Sequence, residues 1–199
     1  MLLSHLHPII VVVATSVMKA CADIFSVIIT SLANKCIDQG VFPSNFKHAQ
    51  ITPIIKKAGL KPDDPANYRP ISNLNSISKI FERLILNRLL PHIANSQNFH
   101  EFQSAYRRFH STETALCKIT DDIYSQLDNG SLCALTALDM SAAFDTIDHQ
   151  ILSQRLNNTF GIRDKALDLI SSYLSDRTAT VKIANSSSDI TAMPYGVPQ

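Results

Sequence analysis

The stretch SLCALTALDMSAAFDTIDH, Ser131–His149, decides the fold. Its first eight residues, Ser131–Leu138, are nearly all apolar and form a short run, the pattern of a central strand buried on both faces. Asp139 closes the run. An acid placed where a hydrophobic strand ends is held by a rigid scaffold yet exposed, the position in which a carboxylate can bind a metal ion. Ser141, Ala142 and Ala143 follow, small enough to let a ligand approach the backbone, and Phe144 stands beyond them. The plainer reading makes Asp139 the cap of the next helix and Phe144 a core residue.

Upstream of this stretch, Ser111 and Thr112 open a helix with Leu116, Ile119, Ile123 and Leu127 on one face, stopped at Asp128-Asn129-Gly130. Before it, Ile77, Ile80, Phe81, Leu84 and Leu89 recur at helical spacing until Pro91. Gln50–Ile55 reads as a strand running into Lys56 and Lys57, and the polar turn Gly59–Asn67 joins it to a second. Residues 17–38 form an amphipathic helix whose apolar side is Val17, Cys21, Ile24, Ile28 and Leu32, ended by Gly40. Downstream come helices near His149–Leu156 and Arg163–Leu174, a strand through Thr180–Ala184, and a Ser-rich turn at Asn185–Asp189. The mixture is α+β or α/β, without an internal repeat.

The 199 residues are enough for one sizeable core, and 45% hydrophobic with 18% charged is the composition of a folding chain. Eighteen basic and seventeen acidic residues leave a net charge of +1, so no overall positive field announces a nucleic-acid partner, although a basic groove can sit on a neutral protein. Cys21, Cys36, Cys117 and Cys133 make no C-x-x-C pair and the seven His are scattered. Reduced thiols, no zinc site and an intracellular location are the expectation. The apolar run Pro8–Met18 is too short to span a bilayer. It lacks the charged start and the cleavage site of a signal peptide, so a buried helix or incidental upstream sequence is expected, with no membrane partner.

LDMSAAFDTIDH, Leu138–His149, is similar to the first catalytic motif of reverse transcriptases, in the form typical of non-LTR (LINE-type, Jockey-like) retrotransposons and group II introns. The resemblance continues in KACADIFSVIITSLANKCIDQGVFPSNFK from Lys19, in HAQITPIIKK, in NYRPISNLNSISKIFERLILNRL, in QSAYRRFHSTETAL and in the final YGVPQ. Several motifs in order at the right spacing are far more specific than any one.

The resemblance implies RNA-directed DNA polymerisation with Mg²⁺ as cofactor and with an RNA template, a DNA primer and deoxynucleoside triphosphates as partners. It assigns Mg²⁺ binding to the Asp139 carboxylate and to the Met140 backbone carbonyl, and the exclusion of a 2′-hydroxyl to Phe144. Backbone N–H groups near Ala142 and Ala143 would face the triphosphate, with Lys56 or Lys57 and Arg69 supplying positive charge and Gln199 touching the incoming nucleotide. Gln103, Arg107 and Ser111 match positions near the template. Tyr106 is either core or a stacking surface, and Arg108 is read as plain surface. Asp145, Asp148 and His149 match positions that fix the turn and the helix start. A solvated, charged hairpin remains the plain alternative for Lys56, Lys57 and Arg69.

The expected fold is α+β, the fingers (about 40–130) and the first half of the palm (about 131–199) of a right-hand polymerase, incomplete, after an uncertain apolar segment at 1–18. The family's Tyr/Phe-x-Asp-Asp hairpin, which brings the other metal-binding aspartate, lies beyond Gln199. One carboxylate cannot hold two Mg²⁺ ions, so residues 1–199 alone are expected to be inactive and, with strand edge exposed, only marginally stable. The rival readings are a catalytically dead nucleic-acid-binding module and a chain with an N-terminal targeting signal.

Overall fold

The computed structural model describes residues 15–140 and 142–198, so most of the apolar run Pro8–Met18 and the residue Gln199 lie outside the described residues. Helices and a sheet alternate along the chain, which divides into two compact units: one formed by the residues up to His92 together with those from Ala142 onward, the other by Ile93–Ser141. Among the described residues no helix is long and apolar enough to cross a membrane.

In the first unit, α1 (Thr15–Ala20) and α2 (Ala22–Gln39) replace the single helix expected over 17–38, with a break at Cys21. The buried side is Met18, Ile29, Ala33 and Cys36, with Phe25 and Leu32 packed against it; Val17, Cys21, Ile24 and Ile28 are exposed. The buried face is thus offset by one position from the expected one, with Met18 and Ile29 inside in place of Val17 and Ile28. Val27, Ile28 and Ile29 are consecutive apolar residues, so periodicity permits more than one face, and the neighbouring helix chooses between them. That neighbour is α6 (Asp164–Leu174). The contact is close at Gly40, which caps α2 with φ +66°; a Cβ there would lie 2.7 Å from Asp168 Cβ.

β1 (His48–Ile55) and β2 (Tyr68–Asn73) form the expected antiparallel hairpin, with Ile54 opposite Arg69. β3 (Thr178–Ile183) runs parallel to β1, Ala49 facing Ala179. The short strands β4 (Ser186–Ser187) and β5 (Thr191–Ala192) both pair with β3, so the order is β2-β1-β3-β4, with β5 also against β3. α3 (Ser76–Ala94) carries Ile77, Ile80, Phe81 and Leu84 towards the core as its spacing predicts, and it continues one turn past Pro91. α5 (His149–Phe160) precedes α6.

Aromatic rings fill the centre of this unit. Phe42, 2% exposed, stands edge-on to Tyr173 at 5.0 Å and to Phe81 at 6.3 Å, and Phe46 meets Phe81 at 5.7 Å. Edge-to-face contacts of this kind set the negative face of one ring against the positive rim of the next. The Phe42 amide donates to Ser172 Oγ at 3.0 Å, tying the chain after α2 to α6.

Two cations are buried beside this core. Arg177 stacks over the Tyr173 ring, its Cζ 4.7 Å from the centroid, and donates through Nη1 to the Tyr173 carbonyl at 3.1 Å, while Nη2 finds no hydrogen-bond partner among the described residues. The Tyr173 hydroxyl donates to Glu82 at 2.9 Å on α3. Burial, with Glu82 adding to it, holds the Tyr173 phenol well above its usual range, and burial lowers the Arg177 value against the pull of Tyr173 and Glu82.

Lys47 is also buried, and burial pushes its ammonium below the usual lysine value; Asp176 opposes that shift and Arg177 adds to it. A lysine with a depressed folded value binds its proton more tightly in the unfolded chain. Its unfavourable contribution is therefore fully present below the depressed value and fades as pH rises to the ordinary value of 10.5. Lys47→Met is expected to raise the melting temperature at neutral pH, with the gain shrinking as pH climbs towards 10.5. Melting curves across that range check this, and a gain independent of pH would show that the buried charge is not its source.

In the second unit, α4 (Thr112–Asp128) begins where the sequence places it, with Ser111 and Thr114 exchanging a reciprocal capping box. Its apolar side is not buried: Leu116, Ile119 and Leu127 are exposed. The expected central strand Ser131–Leu138 is likewise overturned. The segment makes no strand pairing, and Leu132, Leu135 and Leu138 face solvent. A short, largely apolar segment becomes a buried strand only when others pair with its edges and cover its faces, and none of the described residues does so.

Candidate functional site

The two units carry separate parts of the expected site. In the first, the basic residues gather at the closed end of the β1–β2 hairpin. Lys56 follows β1, its amide donating to the Asn67 carbonyl and its Nζ to the Ala66 carbonyl, both at 2.8 Å. The loop between the strands is held by Asp64, which accepts from the Ala66 amide at 2.9 Å, by Asn67 Nδ2 donating to the Lys61 carbonyl, and by the Tyr68 hydroxyl donating to the Pro62 carbonyl. Lys57 and Arg69 stand exposed on this braced loop and strand. One ammonium is engaged by the loop itself, and the other two cations face solvent.

The second part is the turn that follows Ser141. Ala142 adopts φ +52°, and its carbonyl accepts from the amides of Asp145 at 2.9 Å and Thr146 at 3.2 Å. Ala143 is half-buried and Phe144 remains exposed rather than entering the core. Asp148 caps α5, accepting from the amides of Gln150 and Ile151, so the cap that could have been Asp139 is Asp148.

The chain's last described residues lock onto this turn. Gly196 N donates to the Ile147 carbonyl at 2.8 Å, Val197 N donates to the Phe144 carbonyl at 2.9 Å, and His149 Nε2 lies 2.7 Å from the Gly196 carbonyl. A carbonyl only accepts, so the imidazole carries its proton on Nε2 and acts as a clamp. Gly196 is buried at φ +79°, and a Cβ would fall 2.9 Å from Asp145 Cα and from the carbonyl oxygens of Phe144 and Asp145. Sequence reasoning drew only Gln199 from YGVPQ. Gly196, three residues before it, is the sequence signal that backbones meet closely there. Asp145, Tyr195 and Gly196 line a cavity of about 180 Å³, walled on the sheet side by Ile51, Pro70 and Arg177.

In the second unit, the three expected template residues are occupied locally. Ser111 spends its hydroxyl on the α4 cap, Gln103 Nε2 donates to the Ala105 carbonyl at 3.1 Å, and Arg107 Nη1 donates to the carbonyls of Glu101 at 2.6 Å and Gln103 at 3.4 Å. They brace the loop before α4. Tyr106, by contrast, is 84% exposed and not core. Asp139 and Met140 end the exposed segment of this unit. Among the described residues no group of three or more His, Cys, Asp or Glu converges to hold a metal ion. Asp139 is one hard oxygen donor, which divalent cations favour, but it does not build a Mg²⁺ site with the residues described.

The profile of the reverse transcriptase (RNA-dependent DNA polymerase) family matches residues 55–199. The chain is 35% identical over 158 residues to the probable RNA-directed DNA polymerase from transposon BS of Drosophila melanogaster, covering 79% of this chain and 17% of that protein. It is 34% identical over 166 residues to the RNA-directed DNA polymerase from mobile element jockey of the same fly, covering 83% and 18%. With the probable RNA-directed DNA polymerase from transposon X-element the identity is 31% over 188 residues, covering 94% and 20%. The chain thus spans a fifth or less of these relatives.

Proposed function

The chain belongs to the reverse transcriptase (RNA-dependent DNA polymerase) family, and from that premise we propose that it forms part of the nucleotide-binding half of a retrotransposon's RNA-directed DNA polymerase. The observation that carries the reading is the docking of the Ala142–Ile147 turn on Gly196–Val197. It joins two segments, distant in sequence, that the family resemblance separately assigns to the incoming nucleotide.

In this reading the fingers lie at about 40–130 and the first half of the palm at about 131–199. Lys57 and Arg69, with Lys56 behind them, offer cations to a deoxynucleoside triphosphate, Arg69 through a planar fork and the lysines as point charges. The amides near Ala142 and Ala143 face the phosphates, Phe144 crowds the sugar's 2′ position, and Gln199 meets the nucleotide. Gln103, Arg107 and Ser111 shape the loop that meets the RNA template paired to a DNA primer. Asp139, aided by the Met140 carbonyl, contributes one carboxylate to a Mg²⁺ site whose other ligands lie outside the described residues. When bound, Mg²⁺ would neutralise the developing charge of phosphoryl transfer.

The test is RNA-templated primer extension. Residues 1–199 alone are expected to incorporate no nucleotide. A chimera in which this chain replaces the aligned stretch of the jockey polymerase is expected to extend a primer in Mg²⁺. Salt-sensitive RNA binding by a chimera that never extends would instead favour a silent binding remnant.

A further inference from the structure

We propose that Tyr106 and Phe109, with Arg108 between them, form a stacking platform for unpaired bases of single-stranded RNA, a refinement that rests on the template-binding reading above. Tyr106 has φ +59° and Phe109 φ +64°, a backbone region that bulky side chains rarely enter because the Cβ crowds the carbonyl. Both rings are 84% exposed. Both large aromatics are held in a costly backbone conformation with most of their surface in water, and such outliers cluster at binding sites.

The loop is built to keep them there. Three successive turns close through the His100, Ser104 and Arg107 carbonyls, accepting from the amides of Gln103, Arg107 and His110. Arg107 pins the loop from within through the Glu101 and Gln103 carbonyls. A platform fixed before binding loses little freedom when a ligand arrives. Arg108, unlike Arg107, extends over the Phe109 ring, its Cζ 4.6 Å from the centroid. A guanidinium laid on an aromatic leaves its donors available to a phosphate while the ring's other face can receive a base. Paired bases hide their faces in the helix, so the chemistry selects single strands. A purely apolar protein partner would have no use for the interleaved guanidinium, whereas the exposed apolar side of α4 carries no such cation-aromatic stack.

The experiment is fluorescence anisotropy with the 199-residue chain, a single-stranded RNA of about 12 nucleotides and an abasic oligonucleotide of the same length. Phe109→Leu is expected to weaken RNA binding about tenfold and leave the abasic affinity unchanged, and Phe109→Trp to retain binding. Arg108→Ala is expected to reduce the salt dependence by about one phosphate contact. Phe109→Gly separates function from folding: it relieves the left-handed strain, so the melting temperature should rise while RNA binding falls. An RNA affinity unmoved by Phe109→Leu, or an equal loss on the abasic strand, would overturn the platform. Either result leaves the polymerase reading standing, because that reading fails only with the primer-extension chimera.

Discussion

Gly196→Ala is expected to cost about 2–5 kcal/mol of stability and to undo the joint between the Ala142–Ile147 turn and the YGVP strap. The first part of that cost is conformational. An alanine held at φ +79° loses roughly 1–2 kcal/mol relative to glycine. The second is steric: the new methyl would meet three backbone atoms at 2.9 Å, and backbone cannot swing aside as the end of a long side chain can. Overpacking of this kind costs about 1–3 kcal/mol. The least expensive response is for the strap to lift, which breaks the Gly196–Ile147 and Val197–Phe144 hydrogen bonds and the His149 clamp. Thermal unfolding reports the stability loss, and faster amide exchange at Val197 and Gly196 reports the opening. A variant that melts like the wild type with both amides protected would show that the close approach is not needed.

Phe42→Ala is expected to cost about 3–5 kcal/mol. The ring fills the centre of the first unit, 2% exposed and edge-on to Tyr173 and Phe81 within the buried cluster. A small domain's stability is itself about 5–15 kcal/mol, so this single truncation removes a large part of it. Denaturant unfolding checks the value. Phe42→Leu, which refills part of the volume, is expected to lose less, and equal losses from the two would argue against a packed ring cluster.

These two positions differ in how visible they are beforehand. Gly40 reads in the sequence as the stop of a helix, and the structure gives it the left-handed cap; the value of Gly196 depends on Phe144 and Asp145 lying against it, which no local pattern announces. The β1–β2 hairpin, the helix start at Ser111 and the start of α5 are legible because each depends on residues a few positions apart. The buried side of α2 is not, since Val27, Ile28 and Ile29 satisfy several faces and the partner helix α6 lies far along the chain. Ser131–Leu138 misled for a related reason: its composition records what the segment is suited to be once paired, whereas the described residues leave it unpaired. The expected site divided in the same way. Residues that shape their own loops, such as Asp148, Arg107 and Ser111, showed their local hydrogen bonds, while Asp139 depends on ligands that the described residues do not provide.

The central claim is that this chain supplies the Asp139 carboxylate and the nucleotide-facing turn of an RNA-directed DNA polymerase. The measurement that tests it most directly is single-nucleotide incorporation on an RNA template by the jockey chimera, with Asp139 and with Asp139→Ala. The account predicts Mg²⁺-dependent synthesis that falls roughly a thousandfold or more in the variant while primer–template binding persists. A chimera that binds primer–template yet incorporates equally well with Asp139 and with Ala in its place would contradict it.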